Sequence, residues 1–300
     1  MTVTAAALGG VVILWWEAWG DVGVILASVD TVDLALALAF TMASIWLVFL
    51  AYVVLVRRAL STVVAIDHLA HLYFTAQLLK HLPGRIWGIG YQALAGSQLV
   101  RPSLWVAASL VHLGAAIAMV VWVAAIVLVW SNSVLGSVLI AGAGIAMFLL
   151  VRFVFSARPL KRLVQRSTRI PWLGDIPVVV GAAGAGGWMS AFMLLLAGTL
   201  GTYVSWVFLA SASGFPDNAA AIHLAAFYIL AWLAGYLAVV TPGGLGVREL
   251  VFAGLASEFP PELVAALAIL GRLLLMTSDV IFGIAVAPIG RKPGSKKELE

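Results

Sequence analysis

Long runs of uncharged, apolar residues dominate the sequence. Residues 34–56 carry no charged side chain, residues 103–130 contain His112 as their one titratable group, and 41 uncharged residues separate Asp175 from Asp217. Runs of this length exceed the roughly 20 residues that a helix needs to cross the hydrocarbon core of a bilayer. The runs lack the alternation of barrel strands, so the sequence predicts an all-α polytopic membrane protein.

Composition excludes several other classes of protein. The chain is 63% apolar and 10% charged, whereas soluble domains are about 25% charged. It has no cysteine, which excludes disulfides, thiol catalysis and thiolate metal sites. Its polar stretches are too short for a separate domain, so we expect one transmembrane domain over residues 1–290 and a basic cytoplasmic tail over 291–300. No cofactor, metal or nucleic-acid partner is expected.

Hydropathy predicts about six transmembrane helices. They are expected near residues 5–16, 34–56, 103–130, 134–151, 175–211 and 262–288. Basic residues concentrate between positions 152 and 169 and again in the tail. By the positive-inside rule both stretches are cytoplasmic, which predicts a multi-pass inner-membrane protein with a cytoplasmic C-terminus.

Two apolar segments do not fit this topology as single spans. By charge, residues 65–100 begin and end on the cytoplasmic side, and residues 219–258 begin and end on the opposite side. Each has a proline-glycine pair near its middle, Pro83-Gly84 and Pro242-Gly243. Such a pair stops one helix and opens the next. We therefore expect two oppositely oriented re-entrant helix hairpins in an inverted-repeat arrangement.

The residues after each break suit an anion. Half-helices that begin after Gly84 and Gly246 would direct free N–H groups and a positive dipole end at a cavity, with Arg85 and Arg248 within reach. A phosphate-bearing lipid headgroup would suit such a site. The predicted substrate-binding residues are Pro83, Gly84, Arg85, Trp87, Pro242, Gly243, Gly244, Gly246, Arg248, Glu249 and Arg272.

Charged residues within apolar helices need a partner or a function. A charge at the bilayer centre costs at least about 2.5 kcal/mol on insertion scales. We expect Glu249 to pair with Arg272, which leaves Arg248 and Arg85 for the ligand. Asp279 either couples transport to protons or accepts hydrogen bonds near the inner end of its helix, and the sequence does not decide between these roles.

Other polar and glycine-rich features have simpler interpretations. Asp67 and His68 with His71 resemble a metal pair but lack a third ligand, so we expect a solvated face. His112 and His223 are expected to be hydrogen-bonded core residues. The glycine cluster at positions 184–187 is expected to allow close helix packing.

Two strings resemble the signatures of a known family. Residues 77–87 (QLLKHLPGRIW) and 241–249 (TPGGLGVRE) are similar to those of the lysylphosphatidylglycerol synthase transmembrane, flippase-like family. The resemblance covers essentially the whole chain in length, order and hydropathy, in the stand-alone form without the soluble aminoacyl-transferase domain. It implies a non-enzymatic flippase or scramblase for an anionic lipid, either a polyprenyl-phosphate-linked sugar or a modified phosphatidylglycerol.

Two alternatives come from other classes of protein. The first is a membrane-embedded enzyme that acts on a lipid phosphate, which would need a converging nucleophile, acid, base or metal. The second is a non-catalytic membrane partner of a glycosyltransferase or another lipid-modifying enzyme. The headgroup, the direction and energy source of transport, and whether the chain forms a homo-oligomer are left open by the sequence.

Overall fold

The computed structural model describes residues 23–60, 64–80, 87–130, 133–156, 171–215, 217–238, 244 and 246–288, and the regular structure within these ranges is helical. After a short helical stretch that ends at residue 27, the helices are α1 (Thr31–Leu60), α2 (Ile66–Leu79), α3 (Trp87–Ala95), α4 (Pro102–Trp130), α5 (Val134–Ser156), α6 (Pro171–Ala212), α7 (Asn218–Leu237), α8 (Val247–Leu255) and α9 (Pro261–Val286). The predicted span at residues 5–16 and the tail at 291–300 lie outside the described residues.

Five of these helices are long and apolar enough to cross a membrane. They are α1, α4, α6, α7 and α9, and residues 134–146 of α5 add a shorter apolar helix. The predicted class, an all-helical multi-pass membrane protein, is confirmed at this level. One length differs from expectation: α7 was predicted as a half-helix, but its 20 residues are enough for a full span.

The pair α1 and α6 forms the centre of the fold. Ser205 on α6 donates a hydrogen bond to the carbonyl of Ala37 and lies 2.8 Å from the Thr41 hydroxyl. Nearby, a Cβ added to Gly198 would lie 3.1 Å from the carbonyl oxygen of Ser44. Small residues on facing helices let the backbones approach closely, which compensates for the absence of a hydrophobic driving force between helices in lipid.

Helix α6 is interrupted near its start. Gly184 has φ 60° and ψ −176°, a conformation that interrupts the helical backbone between two helical stretches. The expectation that the glycine cluster serves close packing is wrong for most of its members. A Cβ added to Gly184 or Gly186 would meet nothing within 4 Å, so Gly184 supplies backbone freedom instead.

Each of the two unusual segments consists of two helices that pack against each other. In the first, Gly88 of α3 lies so close to α2 that an added Cβ would be 2.7 Å from the carbonyl oxygen of Ala76. In the second, a Cβ added to Gly235 of α7 would be 3.1 Å from the Cβ of Arg248 in α8. Helices α2 and α3, about 21 and 14 Å long, are each too short to cross the roughly 30 Å hydrocarbon core.

Candidate functional site

The second break positions the start of α8 through two glycines. Gly244 and Gly246 have φ values of 73° and 84°, in the left-handed region that favours glycine. Gly246 then caps α8, and its N–H donates to Glu249 Oε2 at 2.9 Å. Both glycines are buried. The sequence signature at residues 241–249 therefore serves, in its described part, to begin a helix inside the protein.

Glu249 and Arg272 form the ion pair expected from the sequence. Arg272 Nη1 lies 2.8 Å from Glu249 Oε1, and the Glu249 residue is only 7% exposed. The carboxylate thus uses one oxygen for the backbone of the α8 cap and the other for α9. Glu249 therefore links α8, the second helix of the second broken segment, to α9.

Arg248 is buried beside an aromatic cluster. It is 7% exposed, and its Cζ lies 5.9 Å from the centroid of the Tyr228 ring, within the range of a cation–π interaction. Tyr228 packs in turn on Trp206 and Phe252, with ring centroids 4.5 and 5.3 Å away. Gly271 of α9 makes room for this cluster, because a Cβ there would lie 3.0 Å from Trp206.

Two arginines and one carboxylate meet around the start of α8. Arg248 and Glu249 lie in its first turn, and Arg272 reaches them from α9. The positive end of the α8 dipole lies at the same place. Arginine side chains and backbone N–H groups at a helix start are suited to bind an anion.

Asp279 forms an ion pair that the sequence did not predict. Lys80 Nζ, just after the end of α2, lies 2.9 Å from Asp279 Oδ2 and 3.2 Å from Oδ1. The Asp279 residue is 1% exposed. Its partner was missed even though Lys80 lies inside the first signature string, three residues before Pro83, because 199 residues separate the two charges.

Helix α9 receives an ion pair from each broken segment. Arg272 holds the start of α8, and Asp279 holds the residue after α2. Seven residues are almost two helical turns, so these two positions lie on the same face of α9 and about 10.5 Å apart along its axis. The described ends of both breaks therefore converge on one face of one helix.

The remaining predicted site residues lie elsewhere or outside the described ranges. Trp87 begins α3 with 54% of its surface exposed. The other predicted residues of the breaks, Pro83, Gly84, Arg85, Pro242 and Gly243, lie outside the described residues. Tyr228 and Trp206 were not predicted as site residues, and only their helical spacing on apolar spans could have indicated them.

Three of the described histidines have hydrogen-bond partners for their rings. His71 Nε2 lies 3.0 Å from the Tyr91 hydroxyl, and its Nδ1 lies 3.2 Å from the carbonyl oxygen of Val286. His112 is buried with Nε2 3.1 Å from the carbonyl of Val48, and the half-buried His223 lies 2.9 Å from the carbonyl of Ala219. Among the described residues, no group of three or more histidine, cysteine, aspartate or glutamate side chains could hold a metal ion.

An apolar cavity of about 360 Å³ lies between α4, α5 and α6. Its walls include Trp122, Trp188 and Phe192, and every lining residue is apolar or glycine. The residues of the charged cluster do not line it. Its chemistry suits hydrocarbon and offers nothing to a headgroup.

Comparisons with protein-family models and with curated proteins gave no match for this chain.

Proposed function

We propose that this protein moves an anionic, phosphate-bearing lipid across the inner membrane, through a cavity between its two broken segments. The observation that carries the proposal is the cluster of Arg248, Glu249 and Arg272 at the start of α8, in which Arg248 and Glu249 are buried among apolar helices. Charged side chains among membrane-spanning helices are costly and usually mark the path of a substrate or an ion.

The two broken segments have the chemistry of a headgroup site. In many transporters, half-helix N-termini at a repeat interface face the anionic group of the substrate. We assign Arg248 and Arg85 to the lipid phosphate. Glu249 and Arg272 position α8 and keep Arg248 in place. The lipid tails remain in the bilayer while the headgroup crosses, so the protein has to provide a polar path for the headgroup alone.

The resemblance to the flippase-like family supports the same lipid class. It favours a polyprenyl-phosphate-linked sugar or a modified phosphatidylglycerol as cargo, carried by two re-entrant hairpins in an inverted repeat. The basic stretch at residues 152–169 and the basic tail favour a cytoplasmic C-terminus.

Reconstitution tests this function directly. Proteoliposomes would carry fluorescently labelled phosphatidylglycerol or a labelled prenyl-phosphate-linked sugar, and a membrane-impermeant quencher would report the fraction of label that reaches the outer leaflet. We expect wild type to accelerate the exchange of one of these lipids over protein-free vesicles. Arg248→Gln should slow it about 10- to 100-fold, since one charged hydrogen bond contributes about 1.5–3 kcal/mol.

Arg58→Gln is the matched control, because it removes the charge of an exposed arginine at the end of α1. This variant should exchange the anionic lipid at the wild-type rate. As a second control, wild type should not accelerate the exchange of labelled phosphatidylcholine. Equal rates for Arg248→Gln and wild type, with both proteins folded, would contradict the proposed role of Arg248. No acceleration of either anionic lipid would favour a partner or enzyme role instead.

A further inference from the structure

The ring and the hydroxyl of Tyr228 lie in different surroundings. The ring packs on Trp206 and Phe252, and the guanidinium of Arg248 lies over it. The hydroxyl lies against α9, where a Cβ added to Gly271 would be 3.4 Å from the phenolic oxygen. The Tyr228 residue is only 3% exposed, so its polar end is enclosed by the protein.

The hydroxyl of Tyr228 has a proton to donate and no group to accept it. No described residue provides a hydrogen-bond acceptor for the buried phenolic O–H. Arg248, the cation beside the ring, carries donors only and cannot serve as an acceptor. A phenylalanine would pack the same ring without an unpaired O–H, and burying an unpaired donor costs free energy. Packing therefore accounts for the ring of Tyr228 but not for its hydroxyl.

The Tyr228 hydroxyl belongs to the charged cluster at the start of α8. Arg248, Glu249 and Arg272 all act electrostatically on its oxygen. Glu249 is the carboxylate of this cluster, and its two oxygens already accept from the Gly246 N–H and from Arg272. The acceptor for the Tyr228 O–H therefore has to come from a ligand that enters the cluster.

The start of α8 suits an oxyanion as that ligand. Helix α8 has nine residues, and its first turn, which contains Arg248, lies at the positive end of the helix dipole. Phosphate is a common ligand at such helix starts. Its charged oxygens accept strong hydrogen bonds, and several of them can be bound by a guanidinium and a phenol at the same time.

We propose that Tyr228 is a ligand-binding residue of this site, and that its hydroxyl donates a hydrogen bond to an oxygen of the phosphate that Arg248 also binds. This inference rests on the proposed function and adds a neutral donor to its anion site. No proton is transferred and no bond of the ligand breaks. A phosphate oxygen could belong to a lipid headgroup or to free phosphate, and the probes below separate these two sources.

Calorimetric titration of the full chain in detergent measures the contribution of the hydroxyl to binding. The probes are dihexanoyl phosphatidylglycerol, a farnesyl-phosphate-linked glucose and inorganic phosphate. We expect wild type to bind one of the two lipids more tightly than inorganic phosphate. Tyr228→Phe should weaken that binding about 10- to 100-fold, which corresponds to the loss of one hydrogen bond to a charged group. Arg248→Gln should weaken it as well.

Thermal unfolding without any probe separates a binding role from a structural one. Tyr228→Phe keeps the ring and removes only the hydroxyl. The variant should unfold at the wild-type temperature or slightly above it, because it no longer buries an unpaired polar group. A tyrosine whose hydroxyl stabilised the fold would give the opposite result. Weaker binding together with unchanged or higher stability is therefore the expected signature.

Tyr203→Phe is the matched control. Tyr203 of α6 is 6% exposed, lies in the same hydrophobic core as Tyr228, and has a hydroxyl with no hydrogen-bond partner among the described residues. It differs in position, because Arg248, Glu249 and Arg272 do not act on its oxygen. Tyr203→Phe should therefore keep the wild-type affinity for every probe and should unfold no earlier than wild type.

The outcomes separate this inference from the proposed function. If Arg248→Gln weakens lipid binding but Tyr228→Phe does not, the role of Tyr228 is wrong and the transport proposal stands. A clear drop in the unfolding temperature of Tyr228→Phe, or an equal loss of binding in Tyr203→Phe, would also overturn the role of Tyr228. If inorganic phosphate alone binds and Tyr228→Phe weakens it, the hydroxyl has the proposed role but the lipid is not the ligand. If no probe binds wild type, both proposals fall.

Discussion

At the scale of single residues, the Glu249 carboxylate accepts a hydrogen bond from the Gly246 N–H and forms an ion pair with Arg272. Glu249→Gln would remove the carboxylate that pairs with Arg272, whose side chain is only 20% exposed. Breaking a buried ion pair by removing one partner costs about 3–5 kcal/mol. We therefore expect a marked drop in the thermal unfolding temperature, measured by intrinsic tryptophan fluorescence in detergent.

The double variant Glu249→Gln with Arg272→Gln should be less destabilised than the sum of the two single variants, since it removes both charges of the pair. Glu258→Gln makes the same chemical change at an exposed position beyond α8 and should unfold like wild type. Strict additivity of the two single changes would mean that Glu249 and Arg272 do not depend on each other.

The sequence could predict one of these ion pairs but not the other. Glu249 and Arg272 are opposite charges in apolar stretches of the sequence. Their pairing followed from the free-energy cost of leaving a charge unpaired within the bilayer. Lys80 stands among polar residues in the sequence, where a lysine needs no partner. Its pairing with Asp279 depends on the packing of α2 against α9, which no local pattern of residues specifies.

At the scale of helices, the first broken segment depends on the close contact of α3 with α2. Gly88→Ala would place a Cβ 2.7 Å from a backbone oxygen, that of Ala76, which cannot rotate away as a side chain can. We expect the variant to lose about 1–3 kcal/mol of stability, typical of overpacking, and to unfold at a lower temperature. Transport should fall as well if α3 forms one wall of the cavity.

Gly90→Ala is the control for this change. It lies on the same short helix, and its added Cβ would meet nothing within 4 Å. Because alanine favours helix over glycine by up to about 1 kcal/mol, this variant should be as stable as wild type or slightly more stable. A Gly88→Ala protein that also matched wild type would show that α3 can shift away from α2 at little cost.

Helix positions followed from hydropathy, while the interruption of α6 at Gly184 did not. A run of apolar residues such as 103–130 has one stable structure in lipid, and α4 adopts it. Glycine gives no such indication, because it serves close packing, as at Gly198, and left-handed backbone, as at Gly184. Which role a glycine has depends on the neighbouring helices, and the sequence does not show which helices are neighbours. The assignment of the 184–187 cluster to packing was therefore wrong for Gly184.

At the scale of the whole molecule, the inverted-repeat proposal requires each broken segment to return to the side from which it began. Charge bookkeeping favours this for both segments, but α7 is long enough to cross the bilayer by itself. The first broken segment has fewer possible topologies, because neither α2 nor α3 is long enough to span the membrane alone. The second segment is therefore the one in which an experiment can best test the proposed topology.

Single-cysteine labelling decides this topology, and the chain has no native cysteine to remove. In intact cells or sealed vesicles, a membrane-impermeant maleimide would label each exposed position from one side. We expect Ala65→Cys and Ser97→Cys to react from the cytoplasmic side, and Asn218→Cys and Ser257→Cys from the opposite side. If Asn218→Cys and Ser257→Cys reacted from opposite sides of the membrane, α7 would cross the membrane fully. The start of α8 would then lie near the membrane surface, and the midplane phosphate site proposed around Arg248 would have to be abandoned.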